Sequence, residues 1–167
     1  MTSPLSNLPP ELVSLLALAA TWSEEQERLI LSSGVPLTPE ETQWAIQLGV
    51  IYPDRVRLLC VDELPQPQDP TLRAAAEQYG FLSPATMGMS LRYGILIRRE
   101  VWRQKPIIFH ELVHTAQYER YGGIAAFLNQ YLVECLTVGY HQSPLEREAV
   151  NLTRQMMASE AFPLQSS

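Results

Sequence analysis

The chain is predicted to fold as an α+β domain, mainly helical, with a short sheet of about three strands. Capping and breaking residues cut most of its 167 residues into helix-length segments. Two stretches instead, residues 55–64 and 89–99, carry strand-like alternation between turn signals. No internal repeat or linker interrupts the chain, so residues 1–167 are read as a single domain.

Met1 to Asn7 reads as a loose polar start. Pro9-Pro10 introduces a helix from about Glu11 toward Leu31, and Ser33-Gly34 ends it. Ser23 followed by Glu24, Glu25 and Gln26 has the form of a fresh N-cap, which predicts a break near Thr21-Trp22-Ser23. Thr38-Pro39-Glu40-Glu41 is a second start: a cap, a first-turn proline and a glutamate placed to close a capping box. That helix carries Trp44, Ala45 and Leu48 inward and stops near Gly49. Together these helices form an N-terminal layer over about residues 9–50.

Arg55 to Leu64 reads as a strand between Pro53 and Pro65, and Pro65 to Pro70 as a loop. Thr71 to Tyr79 is a short helix stopped by Gly80, and Ser83 to Gly88 is turn-like. Met89 to Arg99 reads as one or two strands with a turn or bulge at Gly94, whose edge an extended peptide can join through main-chain hydrogen bonds. Pro106 and Gly122-Gly123 bracket the next helix. A further helix over Ile124 to about Val138 presents Phe127, Leu128, Tyr131, Leu132, Cys135 and Leu136 on one apolar face. The last begins near Pro144 and runs to about Ala158, leaving a frayed tail from Phe162 to Ser167.

The chemistry lies in Ile107 to Gln117, which contains H-E-x-x-H as His110, Glu111 and His114. Residues four apart stack on one helical face, so both imidazoles can grip one metal ion. Zn²⁺ accepts imidazole nitrogens and leaves a position for water in a catalytic site, with Glu111 as general base. The bland alternative is an amphipathic helix whose histidines are merely satisfied. Against it, the chain has three histidines and two fall in this turn.

A catalytic zinc wants three protein ligands. Gln117 and Arg120 stand where a downstream Gly and third His occur in H-E-x-x-H-x-x-G-x-x-H. The remaining candidates are Glu146, Glu148 and His141. On the last helix Leu145, Ala149, Leu152 and Met156 define the buried face, broadened by Val150 and Met157. Glu146 falls between those two sets, and Glu148 turns outward. Glu146 is therefore the preferred third ligand, with His141 as fallback, and the metal-binding half spans about 89–158. Gln117 shares the ligand face and is placed to orient a ligand from behind. Tyr140 and His141 are candidate donors to an oxyanion, with Tyr118 and Tyr121 as alternatives.

His110-Glu111-Leu112-Val113-His114-Thr115-Ala116-Gln117, followed by Pro144-Leu145-Glu146-Arg147-Glu148-Ala149, resembles the zincin metallopeptidases. The resemblance is closer to the gluzincin-type branch that reads H-E-L-x-H-x-x-Q and then E-x-x-A, and it covers Tyr93 to Met156. It implies a short sheet over the metal helix, a third-ligand helix alongside with Glu146 as ligand, and peptide-bond hydrolysis by a zinc-bound water. Several such families continue E-x-x-A with Asp, where this chain has Val150. The contact that Asp makes to a histidine ligand must then come from elsewhere.

The expected function is that of a small zinc metallopeptidase holding one Zn²⁺ per chain and cleaving a peptide or protein substrate. The alternative is a catalytically weak or inactive zinc-stabilised protein-binding domain. A net charge of −6 offers no basic stripe for a nucleic acid. Arg92, Arg98, Arg99 and Arg103 form only a local cluster, read as a solvated strand edge. Cys60 and Cys135 read as buried free thiols. Leu12 to Ala20 is too short for a membrane span, and no Lys or Arg precedes it as in a signal peptide, so cytoplasmic residence is expected.

Overall fold

A computed structural model describes residues 8–162 of the chain; the predicted loose start at Met1 to Asn7 and the tail beyond Phe162 lie outside the described residues. The architecture is α+β and mainly helical. Six α-helices, α1 (Pro10–Ser33), α2 (Pro39–Gln47), α3 (Pro70–Gln78), α4 (Lys105–Tyr121), α5 (Ile124–Val138) and α6 (Pro144–Ala161), surround one small sheet. Its strands are β1 (Val35–Pro36), β2 (Arg57–Val61), β3 (Gly88–Leu91) and β4 (Gly94–Arg98), in the order β1-β2-β4-β3. β2 and β4 are parallel, joined by a crossover through α3, and the other two pairings are antiparallel. The strand beyond the expected three is β1, two residues long and too short to show an alternating pattern.

Alternation along β4 builds the core. Ile95 and Ile97 point to a cluster with Trp44 of α2, with Phe109 and Leu112 of α4, and with Ala149 of α6. Leu96 points the other way, toward Ile30 of α1 and Ala76 of α3. The sheet is thus covered on both faces, and α4 is buried on nearly every side. Trp44 meets Phe109 edge-on at 5.0 Å between ring centroids. The capping box at the start of α2 forms as expected: Thr38 Oγ1 accepts from the Glu41 N–H and Glu41 Oε1 accepts from the Thr38 N–H.

Two expectations are corrected. α1 runs unbroken through Ser23, which is buried in mid-helix. A serine's capping preference is worth about 1 kcal/mol, less than the packing of Leu16, Ile30 and their neighbours along one continuous face. The turn between β3 and β4 lies at Arg92-Tyr93 and not at Gly94. Arg92 takes a left-handed backbone, φ 62°, and is anchored there because its guanidinium donates twice to the buried Glu27, which also accepts from the Tyr93 N–H. Gly94 serves packing: a Cβ there would come within 2.9 Å of the Ile30 Cβ, so α1 lies directly on the strand.

The arginine cluster differs from a simple solvated edge, since each member is paired with an acid. Arg92 meets Glu27, Arg98 meets Glu100, Arg99 meets Asp62 and Arg103 meets Glu41. Cys60 and Cys135 are both free thiols, the first partly exposed and the second buried. Among the described residues no helix is long and apolar enough to cross a membrane.

Candidate metal centre

α4 carries the motif into the middle of the fold. Pro106 lies in its first turn, where a missing N–H breaks no helical bond, and Gly122 ends it with a left-handed cap, φ 89°. His110 and His114 consequently face α6 and α5 from a helix held by the core on its other sides. At the start of α6, Ser143 caps the Glu146 N–H with its hydroxyl oxygen. Glu134 of α5 accepts from the same Ser143 hydroxyl at 2.8 Å and from the Leu145 N–H at 3.1 Å. A carboxylate at a helix N-terminus is favourable, and this one locks α6 against α5 at the turn that presents Glu146.

The three side chains converge. Glu146 Oε2 lies 3.1 Å from His110 Nε2, and Oε1 lies 3.0 Å from His114 Nε2. The two imidazole Nε2 atoms are 3.2 Å apart. Ligands bonded to a tetrahedral zinc at about 2.0–2.1 Å sit about 3.3 Å from one another; the two imidazole nitrogens stand near that spacing, and the carboxylate meets each of them through a different oxygen. His110, His114 and Glu146 form a group that can hold a metal ion. Glu148 and His141, the other candidates for the third position, are not drawn in. Glu148 accepts from Gln117 Nε2 and pairs with Arg120, and His141 is exposed on the turn before α6.

Gln117 touches the ligands directly. Its Nε2 donates to the Leu145 carbonyl at 2.9 Å, which leaves Oε1 to accept from His114 Nδ1 at 2.8 Å. With its proton held on Nδ1, neutral His114 presents a bare Nε2 lone pair to the centre. This is an orienting contact for His114 of the kind that the apolar side chain of Val150 cannot make.

Compared with family models, curated proteins and solved structures, the chain matches none. What the centre can do chemically is decided by its geometry and charge. Burial disfavours an ionised Glu146, yet the hydrogen bonds from His110 and His114 outweigh it and hold this carboxyl well below the usual range. Burial likewise opposes the charged form of His114, but its hydrogen bond and charge interaction with Glu146 win and raise its pKa to about 9. The centre therefore favours a positive charge between these groups, which a proton supplies when no cation is bound. Glu111 differs from both: burial raises its pKa, and the attraction of His110 and His114 only partly offsets that. Its carboxyl approaches the edge strand so closely that a Cβ on Gly88 would lie 3.2 Å from both Cγ and Oε1 of Glu111.

His110, Glu111, His114 and Glu146 line part of a cavity of about 700 Å³. Tyr140 and His141 also line it, without joining the ligand group. Tyr118 is buried and donates its hydroxyl to the Ser90 carbonyl, and Tyr121 packs edge-on to Phe127. Tyr131 was read as core, yet its hydroxyl donates to Glu146 Oε1 at 2.8 Å. A tyrosine among leucines on a helical face gives no sign of such a role. Gly88 and Glu134 carry no sequence signal either, because Glu111, which Gly88 adjoins, and the Ser143 and Leu145 groups that Glu134 holds lie far from them in the chain.

Proposed function

We propose that the protein is a zinc-dependent hydrolase, a small metallopeptidase, with His110, His114 and Glu146 as metal ligands and Glu111 as general base. One observation carries this reading: a buried carboxyl with a raised pKa stands beside a three-ligand N, N, O group and faces the same cavity. A purely structural zinc site normally closes all four positions with protein ligands and has no use for Glu111.

A zinc ion held there supplies Lewis acidity and an acidified water. Glu111 takes a proton onto its carboxylate as the scissile carbonyl is attacked and returns it to the leaving amine, a role suited by its raised pKa. Tyr140 or His141, on the cavity wall, donates to the developing oxyanion. Among the described residues β3 pairs with β4 alone; the Ser90 carbonyl on its outer side already accepts from Tyr118, so an extended substrate can approach that side at Gly88, beside Glu111. The free thiols suit a reducing compartment, and we take the site of action to be the cytoplasm.

The test is elemental analysis together with a peptide-cleavage assay on wild type, Glu146→Ala and Glu111→Gln. The expected result is one zinc per chain in wild type and Glu111→Gln, little in Glu146→Ala, and cleavage by wild type alone. Zinc retained without cleavage of any peptide would leave a zinc-stabilised binding domain. Wild type without zinc would overturn the metal centre itself.

A further inference from the structure

The metal centre supplies only part of the wall of its cavity. Much of the rest comes from α1, the α3 segment and α5, through Leu15 and Trp22 of α1, Ala75 of α3, Phe81 after it, and Leu132 and Leu136 of α5. Among the described residues, the charged side chain on the cavity wall besides the histidines and the two glutamates of the centre is Arg154, on α6. The wall formed by α1, α3 and α5 thus carries no charge of its own and offers no partner to one brought in.

We propose that this apolar chamber is the specificity pocket of the site and accepts bulky aliphatic or aromatic side chains of an extended peptide. The assignment rests on the hydrolase reading for the position of the peptide but not for its affinity. An apolar side chain entering the chamber leaves water for a surface of its own kind. A charged side chain set against the α1, α3 and α5 wall loses its hydration and gains no counter-ion from that wall, since Arg154 stands on α6. β3 sets the direction: Gly88 adjoins Glu111 and lies on the cavity wall, as do Met89 and Leu91, so an extended peptide that meets β3 at Gly88 passes the centre with alternate side chains turned toward the chamber.

Trp22 on the chamber wall supplies a direct reporter. Zinc-loaded, full-length Glu111→Gln protein is titrated with end-blocked hexapeptides that differ only at two alternate positions, Leu, Phe, Ala or Asp. Binding is followed by tryptophan fluorescence, with Trp22→Phe as control for the signal. The Leu and Phe peptides are expected to bind at least tenfold more tightly than the Ala peptide, since one methylene in such a pocket is worth about tenfold or more, and the Asp peptide weakest. Leu132→Arg and Ala75→Phe, one charging the chamber and one filling it, should each weaken the Leu peptide at least tenfold while one zinc per chain is retained. Equal binding of the Leu, Ala and Asp peptides, no binding of any, or unchanged Leu-peptide affinity in the zinc-retaining variants would overturn the pocket. Tight Leu-peptide binding to a wild type that never cuts it would sustain the pocket and refute the hydrolase.

Discussion

The Tyr131 hydroxyl donates to Glu146 Oε1 at 2.8 Å, and the same oxygen stands 3.0 Å from His114 Nε2. α5 therefore fixes the orientation of a carboxylate carried by α6, and it does so from inside the cavity. Removing the hydroxyl while keeping the ring isolates that contact, because Tyr131 also stacks on Phe127 at 5.4 Å. Tyr131→Phe is expected to weaken zinc binding by about 10-fold or more, the usual scale for a partner behind a ligand. Competition with a chromophoric chelator measures it, and unchanged affinity would show that α5 has no part in the centre.

Gln117 is placed to hold His114 in the metal-binding tautomer. Gln117→Leu leaves the His114 Nδ1–H without its partner in a buried setting, while the Leu145 carbonyl keeps its helical bond within α6. The expected cost is about 1–3 kcal/mol of stability for the orphaned N–H and about 10–100-fold in zinc affinity. Urea denaturation of the metal-free protein reads the first and chelator competition the second.

Gly88 matters for space and not for backbone freedom. A methyl group there meets Glu111 Cγ and Oε1 and Ile107 Cγ2, all at 3.2 Å. Gly88→Ala should keep one zinc per chain, since no ligand is touched, yet lower kcat by about tenfold or more, because a small displacement of a reacting group is costly. Paired metal analysis and steady-state kinetics separate those outcomes; an unaltered kcat would remove Glu111 from the proton transfer.

The charge state of these groups in metal-free protein makes stability depend on pH in a defined direction. His114 has a folded pKa of about 9 against about 6.5 unfolded, so its contribution is complete below pH 6.5 and is lost as pH rises toward 9. Glu146 is depressed, so its contribution is present above its ordinary value near 4.5 and is lost as pH falls below it. On these two groups metal-free protein should melt highest between about pH 4.5 and 6.5, and Glu111, whose pKa burial raises, loses its contribution as pH climbs above 4.5 and so moves the optimum to the acid end of that window. With zinc in excess the decline above pH 6.5 should vanish, because the neutral imidazole then binds metal. Melting curves from pH 4 to 9.5, with chelator and with zinc, check both limbs.

Local signals account for much of what was legible beforehand. Thr38 and Glu41, Pro106, Gly122 and Gly139 mark helix ends through contacts within a few residues, and the ends fall where those signals stand. The failures have a common origin. Ser23 carries a local cap signal that burial of its whole helix overrides, and Gly94 carries a local turn signal although its missing side chain serves the packing of Ile30. β1 is held by pairing alone and has no pattern of its own.

By itself the sequence determined that two imidazoles and a carboxyl share one helical turn, because a spacing of four residues is a property of the helix and needs no other part of the chain. The phase of α6 also singled out Glu146 over Glu148. That Glu146 joins His110 and His114 in one group follows only from the tertiary structure. Thirty-one residues lie between His114 and Glu146, and their approach depends on how α5 and α6 pack, on the Glu134 cap and on the Tyr131 hydroxyl. Gln117 was visible as a polar residue on the ligand face, but that its amide holds His114 follows only from the Leu145 carbonyl fixing its orientation. Such contacts join residues far apart in the chain, and side-chain packing, which no local pattern encodes, sets their geometry.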